Sequence, residues 1–261
     1  MIILFYGNCQ LGVMDWMLTQ MNVGLDLRTH FSYTNEEPPE KLYEDLSVCD
    51  IFIYHPVVNH KNTKLNTAAL CQHLRPSCAQ LRIQNLYFTP YFPNTKNIGA
   101  FAVNQYMYQR MRQLTTQTVE PNLQPPDGEL LVSSWLKHEE QRARDRAFDV
   151  TMTDWILANY RHEKLFFTYQ HCSTSVYVEL LSRIFHKLEN RLDILNCKSF
   201  SELRPKLAAL HSVQLGDEWP IMEEVKLALE LQFDCDCAHI QHKFMLRDDY
   251  VRLALKNTTL A

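Results

Sequence analysis

The sequence predicts an α/β protein, a short parallel sheet with many helices and a helical C-terminal part. Three observations predict it. The chain opens with an apolar run that stops at Gly7 and turns through polar residues into a helical pattern. Strand-like and helix-like segments then alternate. A third segment, CDIFIYHPVV, is strongly apolar and short, as a buried strand is.

Ile2 to Tyr6 reads as the first strand. Leu11, Met14, Leu18 and Met21 recur at spacings of three and four, which predicts a helix over 11–21. Leu25 to Phe31 reads as a second strand, and the polar, proline-bearing TNEEPPE leads into a short helix, KLYEDLSV, ahead of the third strand. LRIQNLYFTPYFPNTKNIGAF is dense in aromatic and turn-forming residues and reads as an ordered loop wall. A helical pattern returns from about Tyr106, interrupted by the exposed loop VEPNLQPPDGEL, and residues 129–160 read as one or two helices. KLFFTYQH is a further buried strand ending in polar residues, followed by the helix STSVYVELLSRIFHKLENRL. The chain is expected to form one domain over 1–261, with an α/β core over about 1–190 and a mostly helical extension over about 191–261. It contains no internal repeat.

Hydrophobic residues make up 46% of the chain and charged residues 21%, the balance of a globular protein rather than a disordered one. The net charge of −4 argues against nucleic acid as a partner, because neutralising phosphates needs clustered Lys and Arg. No positively charged leader precedes the first strand, and no stretch reaches the roughly 18 uninterrupted apolar residues of a membrane span. A cytoplasmic location is expected. The eight cysteines, at 9, 49, 71, 78, 172, 197, 235 and 237, are accordingly read as reduced thiols.

Ligands in parallel sheets lie at the carboxyl ends of the strands. Cys9 follows the first strand and His171 follows FFTY, so a parallel arrangement brings both to one sheet edge. A thiol beside an imidazole and a helix N-terminus is easier to deprotonate, the logic of an activated nucleophile. The same residues also suit a small buried cysteine packed on the sheet and a histidine satisfying a carbonyl, since buried free cysteine is common.

ILFYGNCQ, LRIQNLYFTPYFP, DVTMTDWI and KLFFTYQHCS, in this order, resemble the WcbI-like polysaccharide biosynthesis proteins from residue 1 to about 190. That resemblance implies coenzyme A binding and acetylation of capsular sugars. It places Gly7, Asn8, Cys9 and Gln10 on the family's N-terminal signature, and His171 on the histidine of a later Asn-His-Pro segment that reads Gln170-His171-Cys172 here. His55 stands where relatives more often carry glutamine before the proline, so the resemblance assigns it no catalytic role. A looser similarity to SGNH-type hydrolases puts a cysteine in the place of their serine, with Asn8 and the backbone near Gly7 and Gln10 as oxyanion donors. The sheet is therefore expected to be Rossmann-like or SGNH-like.

Coenzyme A needs cations or helix N-terminal amides for its phosphates, and the sequence has neither G-x-G-x-x-G nor a Walker-type loop. Arg82, Lys96, Lys137 and Arg142 are the cofactor-binding candidates, with Arg110, Arg112, Arg144 and Arg146 beside them; those from Lys137 onward also suit a solvated helix face. Asn85 and Tyr91 are placed on the substrate side, with Tyr87 and Phe92 as cleft aromatics that suit a core equally well. FDCDCAHIQH offers Cys235, Cys237, His239 and His242, but its two halves sit too close together to wrap a zinc ion, and no metal is expected. The resulting expectation is an acyltransferase that moves an acetyl or other acyl group from coenzyme A to a hydroxyl of a cell-surface polysaccharide or its precursor. Cys9 and His171 would be catalytic. An esterase or thioesterase, or a silent coenzyme A or carbohydrate-binding module, are the alternatives. Sequence leaves the oligomeric state open.

Overall fold

The computed structural model describes residues 1–33, 37–58, 62–98, 101–103, 126–192, 200–210, 218–234, 237–240, 243–247 and 249–250. The chain divides into two compact units. The first comprises Met1–Leu86, Gln141–Met152 and Thr174–Val213, and the second Tyr87–Glu140, Thr153–Ser173 and Gln214–Ala261. The chain passes between them several times.

The first unit holds the α/β sheet. Strand β1, Ile2–Gly7, is almost wholly apolar and buried, as a central parallel strand covered on both faces must be. It feeds helix α1, Cys9–Gln20, which Asn8 caps by accepting the Gln10 N–H on Oδ1 at 3.0 Å. Leu11, Met14, Met17 and Leu18 are the buried face of α1. The helix ends where Asn22 takes a left-handed conformation (φ +47°), which asparagine tolerates better than most residues, and the chain returns as β2, Asp26–Phe31.

Helix α2, Glu40–Val48, then leads to β3, Ile51–Tyr54, and a short helical turn α3, Thr67–Leu70, precedes β4, Ala79–Arg82. The four strands are parallel in the order β2-β1-β3-β4. Strand β1 thus has its two sequence successors on opposite sides, so the connections diverge at the carboxyl ends of β1 and β3, where open parallel sheets bind ligands. One face of the sheet packs Leu4, Phe52, Leu42, Leu46 and Leu70 into a core with Cys49 and Cys78, whose sulfurs are 3.6 Å apart as free thiols. Beyond β2, the buried Asp45 of α2 accepts from Arg28 Nη1 at 2.6 Å and meets His30 Nε2 at 2.8 Å. Burial raises its carboxyl, but hydrogen bonds from His30, Arg28 and Lys41 outweigh that and hold it below the ordinary value.

Helix α4, Gly128–Arg146, runs through Glu140 in the second unit and continues in the first. Past it, Val150 pairs with Ile83 and extends the sheet beyond β4. Helices α6, Thr174–Leu192, and α7, Phe200–Ala209, pack together in the first unit. The second unit contains α5, Thr153–Asn159, and α8, Glu223–Ala228, around an aromatic centre. There Phe88 meets Tyr91 and Trp135 edge-on and stacks on Phe166. Two hairpins, β5 Lys96–Ile98 with β6 Phe101–Val103 and β7 Cys237–Ile240 with β8 Lys243–Leu246, add antiparallel pairs to that unit. No helix among the described residues is long and apolar enough to cross a membrane.

KLFFTYQH departs from expectation. Phe166 bridges Cys172 antiparallel, the Phe167 N–H donates to His171 O at 2.8 Å, and Thr168 Oγ1 accepts from the His171 N–H at 3.2 Å. The segment is a tight reverse turn of the second unit and not a strand of the parallel sheet. A threonine hydroxyl able to close the turn on itself decided the outcome.

Candidate active site

The strand-to-helix turn 7–10 lies at the carboxyl ends of β1 and β3. Gly7 is required there by contact: a β-carbon on it would stand 2.6 Å from His55 Nδ1 and 2.8 Å from Leu11 Cδ1. Asn8 has its side-chain oxygen committed to the helix cap, and its backbone N–H faces His55 Nδ1 at 3.4 Å. Cys9, the first residue of α1, is half-buried, and its sulfur is within reach of its own N–H and that of Gln10.

Burial is the dominant influence on that thiol and raises its pKa, while the two backbone N–H groups only partly offset it. The easily deprotonated thiol expected from the helix N-terminus is therefore not what the fold produces. The exposed phenol of Tyr33, 62% accessible, senses the same sulfur: burial first, then the Cys9 charge, raises its pKa. Its ring lies 5.6 Å from that of Phe31. Neither aromatic carried a signal in the sequence, since the chain after a strand is polar and variable by default.

The Gln10 side chain is a structural clamp, and the residue's backbone N–H donates to Asn8 Oδ1. It is fully buried, its Nε2 donates to Leu86 O at 2.7 Å, and its Oε1 accepts the Leu86 N–H at 2.9 Å. Both ends of the amide are spent on the segment that follows β4. His55, which sequence reasoning left without a role, is 2% exposed and directly beneath the turn. Burial and the nearby Arg142 charge push its pKa down to about 3, so the imidazole is neutral at physiological pH.

The expected cations are mostly engaged. Arg142 Nη2 donates to the backbone carbonyl of Asn85 at 2.9 Å and to its side-chain oxygen, so these two candidates hold each other. Arg82 pairs with Asp149 at 3.2 Å, Arg144 donates to Gln141, and Arg146 donates to the carbonyl of Pro56. Arg142 and Arg146 are thus tethers rather than a solvated face. Lys137 is exposed and Lys96 lies on β5, both in the second unit, with the Lys96 side chain outside the described set; Arg110 and Arg112 lie outside the described residues.

Tyr91 is corrected from cleft to core: it is fully buried and its hydroxyl donates to the carbonyls of Tyr160 and Glu163. Phe92 is buried beside Trp219, and Tyr87 stacks on Tyr169 at 6.3 Å. The first unit therefore gathers Gly7, Asn8, Cys9, Gln10, His55, Arg82, Asn85 and Arg142, while His171, Tyr91, Lys96 and Lys137 belong to the second. Among the described residues no group of three or more His, Cys, Asp or Glu side chains could hold a metal ion. Cys235 and His242 lie outside the described residues, as do the side chains of Cys237 and His239.

Chemically, the turn presents a half-buried thiol at the start of a twelve-residue helix, at the strand ends where parallel sheets bind ligands. The family described as polysaccharide biosynthesis enzyme WcbI matches residues 2–192. A solved structure of WcbI, described as a polysaccharide biosynthesis enzyme in its native form without a disulfide bond between coenzyme A and a cysteine, has the same fold. Its TM-score is 0.70 at 15% identity, covering 100% of this chain and 90% of that one. No curated protein matches the chain.

Proposed function

The chain belongs to the WcbI family of polysaccharide biosynthesis enzymes, and we propose that it is a coenzyme A-dependent acyltransferase. The acyl group, acetyl first of all, would pass from coenzyme A to a hydroxyl of a capsular or other cell-surface polysaccharide or its precursor, in the cytoplasm. The observation that carries this reading is the half-buried Cys9 at the head of α1. The description of the related structure names coenzyme A together with a cysteine, which supports giving Cys9 that role here.

In the covalent route, Cys9 Sγ attacks the thioester carbonyl, a new carbon–sulfur bond forms, and coenzyme A leaves with the proton that Cys9 gives up. The acceptor hydroxyl then attacks the acyl-cysteine, the carbon–sulfur bond to Cys9 breaks, and the hydroxyl's proton passes through a general base, the role proposed for His171, to the departing sulfur, which regenerates the thiol. In the direct route, Cys9 only positions the thioester and the hydroxyl attacks it. The Cys9 N–H and the Asn8 side-chain amide are the proposed oxyanion donors, since the Gln10 backbone N–H is bonded to Asn8 Oδ1. A silent coenzyme A-binding module is the second reading, favoured by the upward pull of burial on the Cys9 thiol.

Calorimetry with coenzyme A and acetyl-coenzyme A tests the proposal. Binding of both, with acyl transfer to a carbohydrate acceptor, is the expected result. Binding without any transfer would select the module, and no binding at millimolar ligand with hydrolysis of simple esters would select an esterase.

A further inference from the structure

We propose that His55 is a positioning residue, whose Nδ1 anchors the backbone N–H of Asn8 and thereby holds Cys9 in place. The two residues are 47 apart in sequence, and the contact is 3.4 Å. Gly7 makes the approach possible, because any side chain there would occupy the position of the ring. The acceptor role of Nδ1 fixes the tautomer, so the proton of the neutral ring is on Nε2.

That Nε2 is buried and has no hydrogen-bond partner among the described residues. A buried donor without a partner is unfavourable, and an apolar residue at 55 would avoid it. A histidine serving only to fill the core would therefore be a poor choice. The unpartnered Nε2 is understandable if the other nitrogen does a job that an apolar side chain cannot do. That job is at Asn8, whose N–H lies at the head of α1 next to the thiol. Gln10 fixes the turn through Leu86, so the residues before and after Cys9 are both held. A misplacement of the order of 1 Å at such a site is enough to impair chemistry.

The role given to Cys9 rests on the functional reading above, but the geometry of the anchor does not. His55→Asn retains an acceptor at the Nδ1 position, whereas His55→Leu has the same branching and no acceptor. Alkylation of Cys9 by iodoacetamide, followed by peptide mass analysis, reads the turn directly, and calorimetry with coenzyme A reads the site. In His55→Leu the released turn should expose the thiol, so alkylation speeds up severalfold while coenzyme A affinity falls about tenfold. His55→Asn should return both toward wild type. Wild-type values for both in His55→Leu would overturn the proposal, as would an Asn variant as impaired as the Leu variant, since packing of the ring would then be the whole effect. If the Leu variant does not fold, His55→Gln, whose amide lies beyond the Nδ1 position, replaces it with the same expectations. If wild-type protein binds no coenzyme A, the functional reading fails, and the alkylation rates still decide the anchor.

Discussion

The ring of His55 stands where a side chain on Gly7 would have to go, with Nδ1 only 2.6 Å from that missing β-carbon. The end of β1 and the end of β3 are thus built around each other, and the small residue is on the strand that bears the thiol.

Gly7→Ala should destabilise the protein by about 1–3 kcal/mol, because the methyl group must displace both His55 and Leu11 in a packed region. Urea denaturation measures it. A variant as stable as wild type would mean that the imidazole moves aside at little cost.

Replacing Gln10 by leucine leaves the buried N–H and carbonyl of Leu86 without their partner. The expected loss is about 3 kcal/mol, larger than an ordinary surface substitution produces. Coenzyme A affinity measured where the variant remains folded should change little, since both ends of the Gln10 amide are bonded to Leu86.

His55 also sets a pH dependence. Its folded pKa of about 3 lies below the unfolded value near 6.5, so between these values the unfolded chain binds a proton that the folded protein excludes. Its contribution is fully present above pH 6.5 and is lost as pH falls toward 3. Between pH 7 and 5 the wild type should lose about 2 kcal/mol that His55→Asn does not lose, as read by urea melts at the two pH values. Identical slopes for the two proteins would show that the imidazole takes up its proton inside the fold.

Because burial holds the Cys9 thiol above its ordinary value, its reaction with iodoacetamide should be slow at neutral pH and still rising past pH 9. A plateau below pH 8 would restore the activated thiolate that the helix N-terminus alone suggests. Intact mass after mixing with acetyl-coenzyme A should show an adduct that maps to Cys9 and is absent from Cys9→Ala. Full transferase activity in Cys9→Ala would leave the cysteine a structural role.

His171→Gln should lower turnover by about 10²–10⁴ with little change in melting temperature, the signature of a lost general base. A variant that unfolds instead identifies a histidine needed by its turn, where Thr168 holds its N–H.

Sequence alone determined the strand-turn-helix at the start of the chain and its place in a parallel sheet. Each is written in local chemistry: apolar runs of strand length, apolar residues three and four apart, and an asparagine before a helix. Tertiary structure decided what the polar residues do. Gln10 meets Leu86 across 76 residues, His55 meets Asn8 across 47, and Arg142 meets Asn85 across 57. No periodicity records such pairs, because a side chain's partners depend on which strand ends the sheet order brings together. The same reason explains Tyr91, whose ring reads equally well as cleft or core until its hydroxyl finds two backbone carbonyls, and His171, whose segment has the composition of a strand and the hydrogen bonds of a turn.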